Sequence, residues 1–150
     1  MQQNLKREEV MPVQIFGFEP KATSKIPFYN VSVSAGLPVP VTSDTDTAVD
    51  LNEFLIDRPA TTFFARVTGD DMRPVGIANG DILIVDTSEE PADGRIILAM
   101  LNGELTVRYF RNIEGEIYLE TQSSNFLPLK ISDDLEFEII GTVTKIIHTI

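Results

Sequence analysis

The chain has 150 residues, enough for one domain with a real core, and no run of 18 apolar residues that could span a bilayer. Its 23 acids against 12 bases give a net charge of −11, and no basic cluster beyond Lys6-Arg7 is present to hold phosphates, so direct nucleic-acid binding is not expected. The absence of cysteine excludes disulfides and thiolate metal sites, and the polar start from Met1 to Val10 lacks a signal pattern, so a reducing, cytoplasmic setting is expected.

Residues 1 to about 30 are expected to form an extended arm, because Pro12, Pro20 and Pro27 interrupt any helix and the apolar residues keep no period. Leu37 to Thr47 is rich in Pro, Thr, Ser and Asp and is expected to be an extended linker. Asp44, Asp46 and Asp50 suggest a calcium loop, but such a loop needs glycine and glutamate where Val49 and Leu55 stand, so a solvated acidic segment is expected and no metal. Asp50 can cap a short helix, with Glu53 completing a capping box and Leu51, Phe54 and Leu55 on one face, ended by Pro59.

Every later element is expected to be β. Strands are expected at Thr61–Thr68, Asp81–Asp86, Arg95–Leu101, Glu104–Arg111, Ile117–Glu120 and Phe137–Ile147. Asn102-Gly103 is a hairpin signal, Asp93-Gly94 and Glu114-Gly115 mark further turns, and Gly141 predicts a bulge or bend in the last strand. The fold class is mainly β: a curved antiparallel domain with one short helix and an extended N-terminal arm.

One segment carries more than fold. Val67-Thr68-Gly69-Asp70-Asp71-Met72 resembles the G-D-S-M signature of the LexA/UmuD self-cleaving serine–lysine peptidases, family S24. Gly80-Asp81-Ile82-Leu83-Ile84-Val85-Asp86 is similar to the family's next strand, Val33-Ser34-Ala35-Gly36 to its small-residue–glycine cleavage site, and Asp50–Ile56 to a UmuD segment. The resemblance covers about residues 31 to 148 and implies the curved LexA/UmuD C-terminal β fold. It divides the chain into an arm, 1–36, ending at Ala35-Gly36, and an S24-like β domain, 37–150. Only 35 residues precede Gly36, which suits the UmuD-like branch better than a repressor with a helix-turn-helix domain.

By the same resemblance, the dyad positions hold Asp71 in place of serine and Arg108 in place of lysine. A serine–lysine dyad needs a lysine that can become neutral, and arginine stays charged. An ionised aspartate is a weak nucleophile toward an amide, and Asp70 and Asp71, as neighbours on an extended segment, point opposite ways and cannot form an aspartic-protease pair. Opposite charges at the two positions are expected to meet directly or through water. Lys130 and Lys145 do not match the dyad strand, Ser88, Ser123 and Ser124 have no nearby base, and His148 is expected to be structural. The resemblance therefore implies an inactive homologue without cofactor or metal: a homodimeric accessory subunit of the SOS response and translesion repair, with a Y-family DNA polymerase and the RecA filament as partners. Self-cleavage by another route, or a mobile-element regulator that binds another protein, are the alternatives.

Overall fold

The computed structural model describes residues 13–16, 25–28, 35–36, 47–88, 90–123 and 126–150, with only the backbone for 13–16, 25–28 and 47. Most of the expected arm and the linker with Asp44 and Asp46 therefore lie outside the described residues. The chain divides into two compact units, Met1–Phe18 with Arg58–Ile150, and Glu19–Asp57.

In the smaller unit, β2 (Lys25–Phe28) and β3 (Thr47–Asp50) pair antiparallel, from Lys25 opposite Asp50 to Phe28 opposite Thr47. α1 (Leu51–Leu55) follows at once. Asp50 caps it as expected, but its carboxylate accepts from the Asn52 N–H at 3.0 Å. Ala35 and Gly36 form an exposed bend.

The larger unit is an antiparallel sheet of β1 (Val13–Phe16), β4 (Thr62–Val67), β5 (Ile82–Asp86), β6 (Arg95–Leu101), β7 (Glu104–Ile113), β8 (Glu116–Glu120), β9 (Leu129–Lys130) and β10 (Phe137–Ile147). Their order across the sheet is β1-β4-β5-β10-β6-β7-β8-β9. The expected strand positions hold to within two residues at each end. Part of the expected arm differs: Val13–Phe16 pairs with Phe64–Val67 and covers the outer edge of β4.

Alternation explains why the sheet packs on both faces. On β6, Leu98 joins one core cluster with Ala65, Val67, Leu83, Val85, Val107 and Val143. Its neighbours Ile97 and Ala99 point the other way, to Phe110 and Leu119. The β6–β7 hairpin turns through Asn102 (φ 49°) and Gly103 (φ 81°), the two left-handed residues that a tight two-residue turn requires.

β10 is bent twice. Its register slips between Ile139 and Gly141 against β6, and between Val143 and Lys145 against β5. At Gly141 a Cβ would lie 2.6 Å from Val85 Cγ1 and 2.8 Å from the Asp86 carbonyl oxygen, so only glycine lets the strands approach this closely. After Thr142, β10 leaves β6 and continues along β5 alone. No helix among the described residues is long and apolar enough to cross a membrane.

Candidate functional site

The loop after β4 is held as a closed unit. The Val67 N–H donates to the Asp81 carbonyl at 2.9 Å and the Gly80 N–H to the Val67 carbonyl at 2.8 Å, which ties the loop's two ends together. Within it, the Gly69 N–H donates to Asn79 Oδ1 at 2.8 Å, and the Asn79 N–H to Asp70 Oδ1 at 3.1 Å. Arg73 Nε reaches the same oxygen at 3.3 Å. Met72 and Ile77 anchor the loop in the core, at 4% and 0% exposure. This network gives the adjacent aspartates separate positions. Asp70 braces the loop, while Asp71 lines a cleft.

That cleft encloses about 240 Å³ between the loop, through Val67, Thr68, Gly69, Asp71 and Met72, and the start of β7, through Glu104 to Arg108. Here β7 is bonded on one side only: it pairs with β6 from Glu104 onward but with β8 only from Tyr109. Arg108 is half-buried in the cleft wall. Burial draws the pKa of its guanidinium below the ordinary arginine value, and the negative charge of Asp71 partly reverses this. It nevertheless remains a cation at any physiological pH.

Asp71 and Arg108 thus face one cleft and feel each other's charge; of the contact expected directly or through water, the direct form is not made. Among the described residues no hydrogen bond or ion pair joins them, and Arg108 Nη1 donates to the Val107 carbonyl at 2.9 Å. The cleft lining contains no serine or lysine; its hydroxyls belong to Thr68 and Thr106. Among the described residues, no group of three or more His, Asp or Glu side chains gathers to hold a metal.

Two buried carboxylates were not legible as a site. Asp81, 2% exposed, ends the loop: its Oδ1 lies 2.6 Å from His148 Nδ1, and its Oδ2 accepts the Ala78 N–H at 2.8 Å. Burial pushes the Asp81 carboxyl up, but the Ala78 N–H and His148 outweigh it and hold the pKa below 3.8. His148 thus sits just past β10 and braces the loop from the chain's far end. Asp86, 3% exposed, accepts from the Ser88 N–H at 2.8 Å, Ser88 Oγ at 2.7 Å, Thr61 Oγ1 at 2.8 Å and Arg58 Nη1 at 3.0 Å. Here too burial raises the pKa and the donors more than reverse it, down to about 2. The signal in the sequence was the Gly80–Asp86 segment, whose two aspartates bracket the apolar run Ile82–Val85.

The loop between β4 and β5 and the start of β7, which follows the β6–β7 hairpin, thus line one cleft on an antiparallel sheet. The family model described as Peptidase S24-like matches residues 27–144. Protein SamA of Salmonella typhimurium is 36% identical over 125 residues, which cover 83% of this chain and 86% of SamA. Protein MucA of Escherichia coli is 36% identical over 131 residues, 85% of this chain and 89% of MucA. The LexA repressor of Ectopseudomonas mendocina is 31% identical over 127 residues, 83% of this chain and 60% of that repressor. The chain belongs to the Peptidase S24-like family.

Proposed function

We propose that this chain is a UmuD-like S24 domain that does not cut and works by binding other proteins. In this reading Asp71 stands in for the nucleophilic serine and Arg108 for the lysine. Residues 1–36 are an arm ending at a cleavage-like Ala35-Gly36, and 37–150 form the S24-like domain. The single observation supporting inactivity is that Asp71 and Arg108 line one cleft whose lining has no serine or lysine. A guanidinium cannot act as the base that takes a hydroxyl proton, and a carboxylate is a poor attacking group on an amide.

The family fold without its chemistry leaves dimerisation and partner binding as the functions to retain. By the UmuD resemblance the chain acts as a cytoplasmic, homodimeric accessory subunit in the SOS response, joining a Y-family DNA polymerase and contacting the RecA filament. The matches to SamA and MucA run over most of both chains, whereas the repressor match covers 60% of its length, which favours the UmuD-like branch over a repressor.

The test is prolonged incubation of pure protein at about pH 9 to 10, where a dyad lysine would be deprotonated. Mass spectrometry is expected to find no fragment beginning at Gly36. The double variant Asp71→Ser with Arg108→Lys is expected to begin producing it, since Met72 lends the cleft an apolar surface that favours a neutral lysine. A Gly36 fragment from the wild type, in protease-free protein, would overturn the non-cutting reading. Co-purification with a Y-family polymerase tests the partner separately.

A further inference from the structure

The bend in β10 opens a fork in the sheet. β10 and β6 pair as far as Thr142 opposite Ile97, and then separate. Beyond that point Val143–Ile147 is bonded only to β5, and Arg95–Ile96 only to β7, so two strand edges face each other across a groove. The groove measures about 400 Å³, with Val75, Ile96, Val143 and Ile146 as its apolar lining and Arg95, Tyr109 and Lys145 as its polar lining. It shares no lining residue with the Asp71–Arg108 cleft.

The groove gathers two cations in an acidic chain. Acids outnumber bases by 23 to 12, and elsewhere Arg58, Arg73, Arg111 and Lys130 each sit against a carboxylate. Arg95 and Lys145 converge on the groove with no carboxylate within ion-pair distance among the described residues. Arg95 makes only a 3.5 Å contact from Nη2 to the Val143 carbonyl. The acid nearest in sequence, Asp93, is already bonded to Arg111 at 2.8 Å and to the Asn112 N–H at 2.9 Å. His148, three residues past Lys145, is committed to Asp81.

We infer that the β6/β10 fork is a docking site for an extended acidic segment of a partner protein. Unpaired strand edges offer main-chain donors and acceptors to an added strand, and the apolar lining takes its alternate side chains. The guanidinium and ammonium would pair with carboxylates on the incoming segment. The chain's own net negative charge does not forbid this, because distant acids are screened beyond about 8 Å at physiological salt. A strand is favoured over a nucleic-acid backbone by the exposed peptide edges and the apolar lining, neither of which a phosphate chain uses. The inference holds whether or not the separate cleft can cut.

The test uses the full chain and a fluorescent ten-residue peptide alternating glutamate with valine, read by anisotropy. Saturable binding is expected, weakened about tenfold or more by Lys145→Glu and by Arg95→Gln, and retained in Lys145→Arg. Arg95→Gln carries the test should Lys145→Glu fail to fold. A peptide with lysine in place of glutamate is expected not to bind. Equal binding of both peptides, indifference to both substitutions, or tighter binding of a single-stranded oligonucleotide or inorganic phosphate would overturn the inference.

Discussion

Asp86 offers the sharpest test of how this sheet is stabilised. Its side chain is 5% exposed and accepts four hydrogen bonds, one of them from an Arg58 that is itself 53% exposed. Together these hold the carboxyl at about 2, against an ordinary 3.8. One pH unit between folded and unfolded pKa is worth about 1.4 kcal/mol, so ionised Asp86 contributes about 2 to 2.5 kcal/mol near neutral pH. Because the folded pKa is the lower one, that contribution is complete above about pH 5. It is lost as pH falls through about 4 toward 2, where the folded carboxyl also takes its proton. Asp86→Asn removes the titration and turns an amide N–H₂ toward groups that themselves donate. Urea melts of wild type and variant at about pH 7, 5, 3.5 and 2.5 are expected to show the stability gap narrowing by about 2 kcal/mol from neutral to acid. Taking the difference cancels the other carboxylates that titrate in the same range, including Asp81. Parallel stability–pH curves for the two proteins would refute the argument.

Three further outcomes follow from the geometry. Gly141→Ala is expected to lower stability by about 1 to 3 kcal/mol, because the new methyl meets the Asp86 carbonyl, which as backbone cannot rotate away; an unchanged denaturation midpoint would count against the close approach. His148→Ala removes a partner from the buried Asp81 and is expected to cost about 1 to 2 kcal/mol, with faster amide exchange at Gly69, Asn79 and Gly80 than elsewhere in the sheet; uniform exchange would show that His148 does not brace the loop. Glu114 sits at φ 52° in the β7–β8 turn, a conformation that asparagine tolerates better, so Glu114→Asn is expected to raise the melting temperature by the equivalent of about 0.5 to 1 kcal/mol.

What could be read from the sequence was local. Strand and turn positions follow from alternation and from dipeptides such as Asn102-Gly103, whose conformations are set by neighbours in the chain. The cleft was legible for a related reason: the Gly69–Met72 loop and the Gly103–Arg108 hairpin each carry a contiguous motif, and the sheet needs only to bring two short segments together. The bonds that hold that cleft span much longer separations. Asp81 and His148 are 67 positions apart and Asp86 and Arg58 are 28 apart, and no periodicity marks either pair. Gly141 lies between these cases. The glycine predicted an irregularity, but its consequence depends on Val85 and Asp86 in the neighbouring strand, and on β6 ending its pairing at Ile97. The fork with Arg95 and Lys145 exists only because of that bend. A small residue required for close packing between two strands thus also decides where the sheet opens, so the most basic groove described in this acidic chain is a product of its backbone register.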